Sequence, residues 1–139
     1  MEPISVKKGQ ELDLSIESLA YGGNGIAKVD NFVIFVKGAI PGQRVKARIY
    51  KKRKGYAEAR TLQVLSESPK AVEAPCSHFG VCGGCKIQNL SYDEQLKEKA
   101  HQVEDAFRRL GGFKDFKLDN MVGADPVFNY RNKMEFTFS

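Results

Sequence analysis

Up to about Val64 the chain is written in short runs of alternating apolar and polar residues, cut by turn residues every few positions. A period of two buries one face of a strand, and turns this frequent leave no room for long helices, so the pattern predicts a small all-β barrel or sandwich. Five strands fit the pattern, at 11–18, 25–29, 32–36, 44–50 and 58–65. Asp30-Asn31 between Val29 and Phe32 reads as a two-residue hairpin turn, because both residue types tolerate the positive φ of a type I′ turn. Pro41-Gly42 fits the centre of a type II turn and delivers the chain into the fourth strand.

The rest is organised differently. Residues 66–75 are polar, carry Pro69 and Pro75 and break every periodicity, which predicts a linker and divides the chain into units at 1–70 and 71–139. Ser91-Tyr92-Asp93-Glu94 matches a capping box that opens a helix. Leu96, Ala100, Val103, Phe107 and Leu110 then recur at steps of four and three, a stripe that predicts one core-facing side, and Gly111-Gly112 supplies the stop. Met134, Phe136 and Phe138 alternate with Lys133, Glu135 and Thr137, which predicts a half-buried strand over 130–139 with no turn after it. The expected class is α+β: a five-stranded OB-like barrel, a cysteine-rich loop, and a helix and strand that begin a further α/β domain. Such a strand without partners would present a self-pairing edge.

With 42% hydrophobic and 28% charged residues in 139, the composition is that of a soluble globular chain, and no apolar run is long enough to cross a bilayer. No secretory signal is written, so a cytoplasmic protein is expected, with no membrane partner and no sign of an oligomer. The net charge of +5 is uneven. Residues 1–70 hold 13 Lys and Arg against 7 Asp and Glu, whereas residues 71–139 hold 9 against 10. Arg44, Lys46, Arg48, Lys51, Lys52, Arg53 and Lys54 place seven cations in eleven residues with no acid among them. In a β conformation Arg44, Lys46 and Arg48 share one face while Val45, Ala47 and Ile49 point to the interior. The cations predict a polyanionic partner, and Tyr50 and Tyr56 beside them offer rings on which unpaired bases can stack. A solubilising charged face is the plainer reading, although a mixed surface would interleave acids here. The loop of Tyr21, Gly22 and Gly23 is a second candidate surface, and tight turns alone also explain its glycines.

Three cysteines, Cys76, Cys82 and Cys85, stand in Cys-x5-Cys-x2-Cys spacing. An odd, clustered set without a secretory signal argues for thiolate ligands rather than disulfides. The set is one ligand short of a four-thiolate cluster or a tetrahedral zinc site. His78 is the local residue that would complete a Cys3His zinc site, at the cost of a strained spacing, and His101 reads as a solvated helix residue. Radical-generating cluster loops and paired zinc knuckles use other spacings.

The residues together resemble a known family, the RNA uracil-5-methyltransferases that carry an iron–sulfur cluster and an N-terminal TRAM domain. The resemblance rests on residues 19–27 (Leu-Ala-Tyr-Gly-Gly-Asn-Gly-Ile-Ala), 35–42 (Phe-Val-Lys-Gly-Ala-Ile-Pro-Gly), the run from Cys76 to Cys85, Leu90-Ser91-Tyr92 and Tyr130-Arg131-Asn132-Lys133-Met134. It implies a TRAM barrel that binds ribosomal RNA or tRNA. It also implies a 4Fe-4S cluster whose first three ligands match Cys76, Cys82 and Cys85, and a central domain beginning in the closing helix and strand. In such proteins the fourth cluster cysteine, the S-adenosylmethionine-binding domain and the nucleophilic cysteine lie further on. No Gly-rich nucleotide loop follows the cysteines and no fourth cysteine occurs here, so this chain is expected to bind substrate without catalysing methyl transfer alone. No residue of it is assigned a catalytic role. The competing readings are a stand-alone zinc-holding RNA-binding module and an electron-transfer iron–sulfur protein, the latter without support from the basic barrel.

Overall fold

The computed structural model describes residues 5–139; residues 1–4 of the expected first unit lie outside the described residues. Six strands and one helix follow in the order β1 (Glu11–Ser15), β2 (Ser18–Leu19), β3 (Gly25–Val29), β4 (Phe32–Lys37), β5 (Arg44–Lys52), β6 (Tyr56–Ser66) and α1 (Tyr92–Arg109). The strands form one sheet in the order β1-β5-β6-β4-β3-β2, antiparallel throughout except for the parallel pair β4–β6. The five-stranded barrel expected from the sequence is thus corrected to six strands in an open ladder.

The correction originates at Ile16 and Glu17. The Ile16 amide donates to the Gln43 carbonyl at the mouth of β5, and the Glu17 amide donates to Ile26 on β3. One expected strand over 11–18 therefore becomes two edge strands with a corner between them, each bonded to a different neighbour. Gly25 makes that corner possible: a Cβ there would sit 2.8 Å from the Ile16 side chain and 3.0 Å from the Ala39 carbonyl oxygen.

Both expected turns are present. Asp30 and Asn31 adopt φ of 48° and 65°, joining β3 to β4 as a type I′ turn requires. Gly42 has φ of 89°, and the Gln43 amide closes the turn on the Ile40 carbonyl at 3.2 Å. The register of β5 against β6 slips at three places, leaving Tyr50, Leu62 and Leu65 as extra residues. Each slip bends its strand and increases the local twist, which curls the sheet around its inner face.

That inner face is the main core. Ile34, Val36, Val45 and Ile49 are almost wholly buried, with Leu14 and Val6, and small Ala27, Ala47, Ala57 and Ala59 let the curled strands approach. Each large side chain contributes roughly 1.5–3 kcal/mol by leaving water. A second cluster of Leu19, Ile40 and Leu90, flanked by Ala71 and Ile87, ties the sheet to the segment after the cysteines. Ala71 bridges Leu90, and the Ser91 amide donates to the Lys70 carbonyl.

The helix starts and stops near the expected residues but docks by a different face. Ser91 is the N-cap without a side-chain hydrogen bond, and Glu94 turns to Lys97 at 2.7 Å rather than back to the cap. The capping box therefore marks the right place without forming. Instead Gln95 faces the segment after the cysteines, and Glu98 and Gln102 face the sheet. Gln95 donates to the carbonyls of Ile87 and Leu90, Glu98 accepts the Leu19 amide at 2.9 Å, and Gln102 donates to Leu19 at 3.3 Å. The apolar stripe is turned away, with Leu110 87% exposed and Phe107 stacked on Phe116. Residues 130–139 form no strand, and Phe138 is 95% exposed. Alternation alone cannot make a strand where no neighbouring strand offers a ladder. No helix among the described residues is long and apolar enough to cross a membrane.

Candidate nucleic-acid interface and cysteine loop

Alternation along β5 holds as expected: Val45, Ala47 and Ile49 are buried while Arg44, Lys46 and Arg48 lie on the outer face. Lys52 ends the strand, Arg53 and Lys54 form the turn to β6, and the Arg53 amide closes that turn on the Tyr56 carbonyl at 2.8 Å. Tyr56 opens β6 and meets Phe35 of β4 edge to face, with ring centroids 5.6 Å apart. The seven cations and Tyr56 expected to meet a polyanion thus lie on one continuous stretch of β5, the turn and the start of β6.

Cross-strand pairing changes the charge balance of this stretch. Directly opposed residues of neighbouring strands share a face. Glu11 and Asp13 of β1 stand opposite Arg48 and Lys46, and Asp13 approaches Arg44 at 3.9 Å. Lys51 is bound by Glu58 of β6 at 2.9 Å. The interleaved acids missing from the linear run are therefore supplied by the strands on either side. The Lys51 ammonium hydrogen bonded to Glu58 holds that carboxyl below the ordinary carboxylate range, and the Glu58 carboxylate pushes Lys51 up in return. Burial first, and Glu58 second, raise the neighbouring Tyr50 hydroxyl. Lys52, Arg53 and Lys54 form no ion pair among the described residues.

Cys76, Cys82 and Cys85 are exposed free thiols that line one cavity of about 30 Å³ together with His78, Phe79, Gly83 and Gln88. Tight turns build it. The amides of Val81 and Cys82 both donate to the His78 carbonyl, and the Cys76 amide is held by the Gln88 side chain at 2.9 Å. The donor set suits a thiolate-bound metal. Among the described residues, however, no three Cys, His, Asp or Glu side chains are gathered closely enough to hold an ion. Holding a metal therefore requires the loop to draw its thiols together, a coupling of binding to folding that is common in small metal sites. Arg131 reaches the Gly84 carbonyl of this loop at 3.4 Å. Gly23 lies against the residue that follows Cys85, since a Cβ on Gly23 would sit 3.0 Å from Cβ of Lys86, and Tyr21 two residues earlier is 94% exposed.

Three contributors to the surface were not marked by the linear sequence. Lys37, Arg60 and Phe35 join the outer face only through strand pairing, because Lys37 opposes Arg60 and Phe35 opposes Glu58. Glu98 and Gln102 were hidden for another reason. Charged and amide residues on a helix read as solvated, and only a sheet edge with open backbone groups makes them docking residues.

Residues 5–62 match the TRAM domain family. An uncharacterized RNA methyltransferase of Halalkalibacterium halodurans is 41% identical over 94% of this chain and 28% of that protein. One from Clostridium tetani is 42% identical over 95% of this chain and 28% of that protein. The solution structure of a conserved protein from Methanococcus maripaludis is 33% identical, covering 42% of this chain and 83% of that one with a TM-score of 0.40. The chain spans under a third of the length of the two methyltransferases, and the likeness to them runs past the TRAM domain through the cysteine loop and α1. Residues 5–62 are thus similar to the TRAM domain, and nearly the whole chain is similar to the first part of proteins named as RNA methyltransferases.

Proposed function

We propose that this chain is the RNA-binding and cluster-bearing portion of a cytoplasmic, S-adenosylmethionine-dependent uracil-5-methyltransferase of ribosomal RNA or tRNA. The observation that carries the RNA reading is the outward set Arg44, Lys46 and Arg48, continued by Lys52, Arg53 and Lys54, on the matched domain. Of these, Arg48, Lys52, Arg53 and Lys54 bind phosphate and hold the RNA in place, whereas Arg44 and Lys46 face Asp13 of β1. S-adenosylmethionine supplies the methyl group in such a reaction, and none of the residues described here is assigned to that step. Cys76, Cys82 and Cys85 would hold a 4Fe-4S cluster as three of its four thiolate ligands.

The RNA reading is tested by fluorescence anisotropy of labelled RNA with the full chain between low and physiological salt. Replacing Lys51, Lys52, Arg53 and Lys54 by alanine should weaken binding broadly while leaving the thermal melt unchanged. Because Lys51 is already occupied by Glu58, three cations are lost to phosphate, and the slope of log K against log salt should shrink by about 2. Unchanged affinity at low salt would remove this patch from the interface.

One observation favours a second reading, a zinc-holding RNA-binding module: His78 lines the same cavity as the three cysteines. Anaerobic purification with metal and sulfide analysis separates the two. Iron with sulfide and a brown absorption supports the cluster, stoichiometric zinc supports the module, and a metal-free protein that stays so after reconstitution overturns the module and fits a chain that holds three of the cluster's four ligands.

A further inference from the structure

The outer face of the sheet carries more than the β5 cations. Lys37 of β4 stands opposite Arg60 of β6, and Arg60 stands opposite Arg48 of β5. All three are exposed, and none forms an ion pair among the described residues. One row of three cations therefore crosses three adjacent strands, over about 10 Å at the usual strand spacing. Phe35 lies two residues back from Lys37 on the same face, about 7 Å along the strand, and is half-buried against Tyr56.

The charge around this row gives it a direction. Along β5 a polyanion meets Glu11 and Asp13 of the adjoining β1 edge, which oppose Arg48 and Lys46. Across β6 toward β4 it meets Arg60, the ring pair and Lys37 instead. Glu58 stands on that side too, but Lys51 neutralises it at 2.9 Å. Repulsion on one flank and open cations on the other favour a path across the strands over a path along β5.

We propose that an unpaired stretch of RNA crosses the sheet from the β5–β6 turn to the end of β4. Lys37, Arg48 and Arg60 hold its phosphates, and a base packs on the Phe35–Tyr56 pair. This inference rests on the RNA-binding reading above and adds to it a strand state and a route. Rings with partial exposure accept an unstacked base, whereas a duplex keeps its bases inside and offers such a face only its backbone.

The test uses the full chain, an unstructured single-stranded RNA of about 12 nucleotides and a duplex of the same sequence. Combining Lys37→Ala with Arg60→Ala changes two exposed side chains and should lower the salt slope for the single strand by about 1.4. Phe35→Leu keeps an apolar side chain of similar size and should weaken single-strand binding about five- to tenfold, with duplex binding unchanged. Thermal melts of each variant confirm that the sheet is folded. If the Lys37 and Arg60 substitutions leave slope and affinity intact while loss of Lys52, Arg53 and Lys54 abolishes binding, the route is wrong and RNA binding stands. Equal loss on single strand and duplex for Phe35→Leu overturns the base contact. A native chain that binds neither RNA overturns both readings.

Discussion

Replacing Glu98 by alanine should release α1 from the sheet while the sheet stays folded. β2 is a two-residue edge strand paired only with β3, so the outward amide of Leu19 has no strand to bond. Glu98 supplies the acceptor at 2.9 Å, and both residues are nearly excluded from water, at 8% and 4% exposure. A hydrogen bond to a charged partner contributes about 1.5–3 kcal/mol, and removing the acceptor strands a buried donor. Gln102 compensates little, since its bonds to the Leu19 and Ala20 carbonyls are 3.3 and 3.5 Å long and use other backbone groups.

The expected loss for Glu98→Ala is about 2 kcal/mol, which is roughly a thirtyfold fall in amide protection at Leu19. Glu98→Gln keeps an oxygen acceptor and loses only the charge, so it should cost about 1 kcal/mol or less. Native-state hydrogen exchange followed by NMR reads both numbers at Leu19, with Ile34 and Val45 in the main core as controls. Equal protection in the two variants would refute the hydrogen-bond account. A parallel fall at Ile34 would show that helix and sheet open as one unit.

Gly42→Ala should cost about 2 kcal/mol, because the residue sits at φ of 89° and its new Cβ would lie 2.6 Å from the Ser68 hydroxyl oxygen. Adding Ser68→Ala relieves the clash but not the backbone conformation, so denaturant melts should show only partial recovery. The Glu58 carboxyl, held low by Lys51, titrates below its unfolded value, so its contribution to stability is present above the ordinary carboxylate range and lost as pH falls through the folded value. Glu58→Gln should flatten that part of the acid melt, and a carboxyl titration by NMR should find Glu58 below the ordinary carboxylate range. The same substitution frees Lys51 for phosphate and should steepen the RNA salt slope by about 0.7.

Much of the sheet was readable in the linear pattern. Asp30-Asn31 and Pro41-Gly42 are turns whose backbone demands few residue types meet, and the alternation of Val45, Ala47 and Ile49 named the inner face of β5 correctly. Such signals are local, so the sequence contains all of the physics they use. The helix boundaries were legible for the same reason, near Ser91 and Gly111. The eight expected RNA-binding residues do share one stretch, and the three cysteines do share one cavity, though not at metal-holding distance.

Alternation tells which side chains share a face of a strand but not which strand lies beside it. The acids against Arg44 and Lys51, and the row from Lys37 through Arg60 to Arg48, exist only because β1, β6 and β4 pair as they do. The split of one strand at Ile16 follows from bonds to Gln43 on one side and Ile26 on the other, partners 27 and 9 residues from the residues they meet. The polar docking face of α1 likewise answers unpaired backbone groups on β2 and after the cysteines, while the apolar stripe that periodicity singled out faces away. Local backbone chemistry thus settled the turns, the strand faces and the positions of the cations and thiols. Tertiary pairing decided which charges remain free and which helix face is buried, because both depend on neighbours far away in the chain.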